Sequence, residues 1–324
     1  MNRTRIRKYP LKLRAVPKEI LWGGDRLKRN YNKKADFQKL AESWELTVRP
    51  DGMSIIENGI YAGRPLSELV ENGGADFLGR KSGSFDRFPL LIKFIDAKEK
   101  LSVQVHPDDE YALLHENEWG KTEMWYIMEA DEGAELVYGL KEGVSVEEFA
   151  RLTENGKAED ALFYTDVKKG DVFFIPSGQV HAIGGGILLA EIQQNSNVTY
   201  RVFDYNRKQG DGTLRELHTE KALDVVKLRN EGEIDALRFA CGKNDTALLC
   251  ACPFFTVYKY DISAPLPLHV SEDSFLSVLV LHGEGAITQG DEIYTFVKGD
   301  SWLLPSGLGD VVITGEAELL ITSL

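Results

Sequence analysis

Short runs rich in Val, Ile, Leu and aromatic residues, bounded by Gly, Pro or Asp, recur along the whole chain. They are LLIKFID, LSVQVHP, MWYIME, DVFFIP, GILLAEIQQ and VTYRVFDY, then FFTVYKYDI, FLSVLVLHG, DEIYTFV, DSWLLP, DVVITG and AELLITSL. Runs of this length and punctuation belong to the strands of a sandwich or barrel and predict a mainly β protein. Helical spacing is sparser: DFQKLAESWEL from residue 36, PLSELVEN from 65, PDDEYALLHENE from 107, SVEEFARLTENG from 145 and ELHTEKALDVVKL from 216. Ser145 and Glu148 have the spacing of a capping box. These helices are expected as additions around a β core, chiefly over residues 143–163 and 214–228.

One nine-residue pattern returns. Gly170-Asp-Val-Phe-Phe-Ile-Pro-Ser-Gly178 reappears 129 residues later as Gly299-Asp-Ser-Trp-Leu-Leu-Pro-Ser-Gly307. A repeated turn, strand and turn implies two copies of one β unit. In that alignment His181 falls opposite Asp310, and the region of Glu123 falls opposite Phe275. The second copy therefore keeps the frame without the chemistry. The expected division is a first domain over 1–240 and a second over 241–324, which suits the 324-residue length.

In Leu101-Ser-Val-Gln-Val-His106 apolar and polar residues alternate strictly, so a strand puts Ser102, Gln104 and His106 on one face. An ordinary solvated face would carry Lys, Glu or Thr. Here an amide oxygen and an imidazole nitrogen are offered towards one point. Glu123, opening the strand EMWYIM, and His181, after the Pro-Ser-Gly turn, complete a mixed nitrogen and oxygen donor set. Such a set suits Zn²⁺ or a similar divalent ion and leaves room for substrate oxygens. His115, His218, His269 and His282 lack such company and read as surface or capping residues.

Composition narrows the partners. The formal net charge of -13 disfavours nucleic acid, and an anionic small substrate would need a local cationic cluster. Lys121, Arg201, Arg207 and Lys208 supply one near the same motifs. Cys241, Cys250 and Cys252 are read as reduced, buried, inert thiols on a strand, in keeping with a cytoplasmic protein. The basic N-terminus is not followed by the apolar run of about 7–15 residues that a signal peptide needs, and no segment has the length of a membrane span.

Together these residues resemble the type I mannose-6-phosphate isomerases, particularly the short bacterial form. The resemblance rests on Trp22-Gly-Gly, Gln104-Val-His106-Pro-Asp-Asp, Lys121-Thr-Glu123-Met-Trp, Ile175-Pro-Ser-Gly-Gln-Val-His-Ala182 and Glu191 to Arg207, and it extends over essentially the whole chain. It implies a pair of cupin-type β-barrels, jelly rolls with helical additions, the second without metal ligands. It implies one Zn²⁺ per chain on Gln104, His106, Glu123 and His181, and an active-site arginine at Arg201. Ser102, Lys121, Glu191 and Arg207 are placed around a sugar phosphate, and the reaction is the interconversion of mannose 6-phosphate and fructose 6-phosphate through a cis-enediol. Glu191 is the candidate base, because burial in LLAEIQQ is expected to raise its pKa. Compared with the longer members, the helical insert is reduced to about residues 143–163, which leaves related sugars open as substrates. A non-catalytic sugar-binding cupin and an iron-dependent cupin oxygenase are the alternatives. The expected state is a monomer or weak homo-oligomer.

Overall fold

The computed structural model describes residues 6–228, 237–238 and 242–324. Its strands include β1 (Leu11–Arg14), β2 (Leu90–Ala97), β3 (Val103–Val105), β4 (Glu123–Ala130), β5 (Glu135–Leu140), β6 (Asp171–Ile175), β7 (His181–Ala182), β8 (Ile187–Gln194) and β9 (Tyr200–Phe203). The C-terminal part adds β10 (Asp245–Ala251), β11 (Thr256–Ile262), β12 (Leu276–Gln289), β13 (Ser301–Leu304) and β14 (Gly309–Ser323). Helices α1 (Leu66–Gly73), α2 (Asp109–Glu116), α3 (Val146–Glu154) and α4 (Thr219–Val225) lie close to four of the sequence expectations. Asp108 and Ser145 cap α2 and α3 by accepting from the N–H groups of Tyr111 and Glu148.

Two sheets frame the N-terminal unit. A seven-stranded sheet runs 237–238, β6, β4, β8, β2, Glu42–Leu46 and Val16–Lys18, and a five-stranded sheet runs Leu162–Asp166, β5, β7, β3 and β9. Ile95, Trp125, Ile127 and Leu189 of the first meet Leu136, Tyr138 and Ile183 of the second in one core. The other face of the five-stranded sheet buries Val103, Val105 and Val202 against Phe149 of α3 and Ala222 of α4. The alternation read at residues 101–106 is thus explained: the valines face the helices, and the polar row faces the space between the sheets.

The third sheet is nine-stranded and holds β10 to β14. It also takes in two N-terminal segments, since β1 pairs with β13 and with Ile55–Ile56. The expected boundary near residue 240 lies outside the described residues. Lys33 bridges the two parts of the chain, its ammonium lying 2.6 Å from the buried Glu45 carboxylate and 2.5 Å from the carbonyl of Gly299.

The repeat is real at the level of backbone. Gly170 and Gly299 both take a positive φ, +92° and +90°, and each opens a strand. A Cβ at Gly299 would lie 2.1 Å from the carbonyl oxygen of Tyr31, so that position admits only glycine. Glu123 pairs with Ile175, while Leu276 pairs with Leu304 at the matching place in the second copy. The equivalent of Glu123 is therefore Leu276, one residue beyond Phe275 and likewise apolar.

Two expectations fail. Residues 36–46 do not form a helix, and Glu42–Leu46 is a strand whose Trp44 stands opposite Lys93 of β2. Its helical spacing is outweighed by pairing on both sides, with β2 and with Val16–Lys18, in a buried sheet. DVVITG and AELLITSL are not separate strands but one, β14, which passes through Gly315 at a φ of +127°.

Candidate active site

The residues expected to hold the metal assemble from both sheets. On the five-stranded sheet, Gln104 stands opposite His181 on one side and Arg201 on the other, so the three side chains form one row facing inward. On the seven-stranded sheet, Glu123, Trp125, Glu191 and Lys93 share the facing surface, with Glu191 opposite both Trp125 and Lys93. His106 lies just beyond β3, where its carbonyl accepts from the N–H of Gly178 in the Pro-Ser-Gly turn.

The imidazoles are oriented from behind. His106 Nδ1 lies 2.8 Å from the carbonyl of Val198, and His181 Nδ1 lies 2.8 Å from that of Gln179. A proton on each Nδ1 satisfies these carbonyls and leaves both Nε2 lone pairs free. Those two Nε2 atoms are 3.1 Å apart, and Glu123 lies 3.3 Å from His181 Nε2 and 3.7 Å from His106 Nε2. The Gln104 amide is 3.3 Å from His181 Nε2. Among the described residues, His106, Glu123 and His181 are the cluster able to share one metal ion.

The electrostatics fit a cation at this point. Burial, then the charge of Lys121, holds His106 neutral far below the usual imidazole range, and burial takes His181 down to about 3. Burial and the neighbouring Glu191 push the Glu123 carboxyl up, against Lys121 and Lys93. Neither Glu123 oxygen has a hydrogen bond of good geometry, although Lys121 Nζ is 2.5 Å away. The same ammonium is 3.1 Å from His106 Nε2. Two neutral imidazoles, one under-compensated carboxylate and an amide already converge on positive charge, as a divalent ion with N and O ligands requires.

Glu191 departs from expectation. Burial alone would raise its pKa, but Lys121 and Lys93 together with the Trp125 indole bring it well below the usual carboxylate range. Lys93 Nζ lies 3.1 Å and Lys121 Nζ 3.8 Å from Oε1, and Trp125 Nε1 donates to Oε2 at 3.0 Å. The sequence reading missed the buried Lys93, whose pairing with Glu191 across strands is a non-local fact.

Arg201 is half-buried, with one nitrogen donating to the carbonyl of Glu216 at 2.7 Å and its buried Nε without a partner. Beyond it Arg207 and Arg215 both bind the carboxylate of Asp204. Arg207 also donates to the carbonyl of Lys100, so it sits in this outer cluster and away from the ligand set. Arg215 was not singled out from the sequence, since nothing local marks it. Ser102 is buried just before β3. His218, expected as a surface or capping residue, stands at the N-cap position of α4, and its ring accepts from the N–H of Arg201 and helps fix that strand. In the second copy His269 contacts Asp310, the counterpart of His181, at 2.6 Å on an exposed edge.

Two family models match this chain: "Phosphomannose isomerase type I, catalytic domain" over residues 11–143 and "Mannose-6-phosphate isomerase, cupin domain" over residues 244–324. The chain belongs to the type I mannose-6-phosphate isomerases. It is 42% identical to the mannose-6-phosphate isomerase ManA of Bacillus subtilis (strain 168) over 97% of this chain and 99% of that one. It is 40% identical to the mannose-6-phosphate isomerase of Streptococcus mutans over 96% and 97%. A crystal structure of the mannose 6-phosphate isomerase from Bacillus subtilis superposes with a TM-score of 0.89 at 36% identity, over 97% of this chain and 99% of that one. The resemblance read from the motifs is thereby established, as are the mainly β cupin class and the enzyme class, a mannose-6-phosphate isomerase acting as an aldose–ketose isomerase. Among the described residues no helix is long and apolar enough to cross a membrane.

Proposed function

We propose that the protein is a zinc-dependent isomerase that interconverts mannose 6-phosphate and fructose 6-phosphate through a cis-enediol. The observation that carries this is the convergence of two backbone-oriented, neutral imidazoles on an under-compensated buried carboxylate. Gln104, His106, Glu123 and His181 would hold one Zn²⁺ per chain. When bound, the ion supplies Lewis acidity towards the sugar carbonyl and its neighbouring hydroxyl.

The chain's own residues do the rest. Arg201, permanently charged and aligned with Gln104, steadies negative charge that develops on the sugar oxygens. Glu191 is the carboxylate left free when Glu123 serves as a ligand, and it is the proposed carrier of the proton between C1 and C2. Lys93 and Lys121 hold it ionised, so it begins each cycle in the accepting form, with low basicity as the cost. Ser102 and Lys121 border the sugar. Arg207 and Arg215, pinned by one aspartate, leave excess positive charge beside Arg201 and anchor the phosphate.

The test is a coupled assay on protein stripped by a chelator and reloaded with single metals. Mannose 6-phosphate and free mannose are compared as substrates. Restoration by zinc with a strong preference for the phosphorylated sugar supports this reading. Restoration by iron alone, or equal use of free mannose, refutes it.

A further inference from the structure

Residues 214–218, Leu-Arg-Glu-Leu-His, join the turn closed by Gln209 and Thr213 to helix α4. Apolar burial does not hold them in place, because Leu214 and Leu217 are 56% and 46% exposed. Polar contacts do so instead. At one end Arg215 is fixed by Asp204, its Nε donating to the carboxylate at 2.7 Å. At the other end His218 is the N-cap residue of α4. That helix is anchored to the five-stranded sheet through the buried Ala222 and Val225, and to α2 by the Lys221–Glu116 ion pair of 2.7 Å.

Between those ends the segment grips Arg201. The N–H of His218 donates to the carbonyl of Arg201 at 2.7 Å, and His218 Nδ1 accepts from the Arg201 N–H at 3.2 Å. The carbonyl of Glu216 accepts from the Arg201 guanidinium at 2.7 Å. His218 therefore fixes the backbone from which the side chain departs, and Glu216 the group at its end. Burial and the charge of Arg201 hold the His218 ring below the usual imidazole range, which keeps its Nδ1 lone pair free to accept.

One short segment thus carries a cation of the proposed phosphate anchor and both supports of Arg201. On the roles proposed above for Arg201 and for the Arg207–Arg215 pair, on which this inference rests, we propose that His218 is a positioning residue for Arg201 and that the substrate's phosphate acts through it. A dianion held by Arg207 and Arg215 tightens residues 214–218 around Arg201. The charges of Arg215 and Arg207 also bear on Arg201, and a dianion between them removes that repulsion. Binding energy from a phosphate remote from C1 and C2 is thereby converted into alignment of the positive charge beside them. Free mannose lacks the phosphate and meets an Arg201 less firmly placed.

The experiment uses the full-length, zinc-loaded enzyme and inorganic phosphite, a phosphate surrogate that carries no sugar. Conversion of free mannose is followed by NMR with and without phosphite. Expected is a rise in kcat/KM of about tenfold or more in wild type, which Arg215→Gln abolishes. His218→Phe keeps a ring and removes the acceptor. It should abolish the rise as well and lower kcat for mannose 6-phosphate about 10–100-fold, with KM little changed. His218→Asn, whose Oδ1 offers an acceptor near the place of Nδ1, should restore most of both. A role confined to folding would instead move Tm and zinc content, and would not distinguish Asn from Phe. Phosphite without effect on wild type, activation of His218→Phe to the wild-type extent, or equal loss in the two His218 variants would overturn the proposal. Arg201→Ala with wild-type kcat would overturn the role of Arg201 itself. An impaired Arg201→Ala beside an unimpaired His218→Phe would overturn only the role of His218.

Discussion

The Nε2 atoms of His106 and His181 face each other across 3.1 Å, each ring held from behind by a backbone carbonyl. Two buried nitrogen lone pairs at that distance repel unless something positive lies between or beside them. A cation placed there would relieve that repulsion, and under the proposed function each imidazole would help to hold it.

His106→Ala and His181→Ala should each lose stoichiometric metal and isomerase activity together. The loss in kcat/KM should exceed the roughly 10–100-fold cost of deleting a supporting hydrogen bond. Elemental analysis of the purified variants beside the coupled assay checks this. A variant that kept one zinc per chain would remove that histidine from the ligand set.

Glu191→Gln should lower kcat by about 10²–10⁴-fold with little change in KM, the range for removal of a general base. The decisive readout is exchange of the C2 hydrogen of the sugar with deuterated solvent. A slow variant that still exchanges at the wild-type rate would reduce Glu191 to a partner of Lys93 and Lys121.

Arg215→Gln should raise KM for mannose 6-phosphate roughly 10–100-fold, the loss of one charge-assisted contact of about 1.5–3 kcal/mol, and leave turnover of free mannose unchanged. Arg201→Lys should instead cut kcat by about 10²-fold, since a point charge cannot reproduce the guanidinium. Steady-state kinetics with both sugars separates the phosphate anchor from the residue beside the reacting carbons.

Metal-stripped protein should lose stability as pH falls below about 6.5, the unfolded histidine value. Both buried imidazoles have depressed folded pKa values, that of His181 near 3, so between those values the unfolded chain binds more protons. Each then contributes a slope of up to about 1.4 kcal/mol per pH unit. Glu123, raised by burial, works in the opposite direction and offsets part of this. Denaturant titrations of the stripped protein at several pH values measure the sum. A flat profile in wild type and in His181→Ala alike would contradict the neutral state assigned to the rings.

Lys33→Met should cost about 3–5 kcal/mol, because it leaves the fully buried Glu45 carboxylate unpaired. Glu45→Gln combined with Lys33→Met should recover much of that loss, measured as a shift in Tm.

The clustering of His106, Glu123 and His181 was legible because its evidence is local. Alternation at 101–106 fixed which face Gln104 and His106 share, and the repeat supplied a copy in which Asp310 stands opposite His181 and the apolar Phe275 opposite the region of Glu123, a place that strand register moves by one residue to Leu276. What was not legible depends on pairing between distant segments. Nothing near Lys93 announces that it will stand opposite Glu191, and burial of LLAEIQQ suggested a raised carboxyl because its two lysine neighbours come from elsewhere, Lys93 from β2 and Lys121 from the segment before β4. Residues 36–46 carry helical spacing, yet Trp44 is placed by the strand beside it. Arg215 acquires meaning only through Asp204, which it shares with Arg207.

The pairing of β1 with β13 joins residues 11–14 to residues 301–304. One edge of β1 meets the nearby Ile55–Ile56, but its other edge has to wait for residues 301–304 to be made. A chain cut short before β13 would leave an unpaired apolar edge, open to association with other nascent chains.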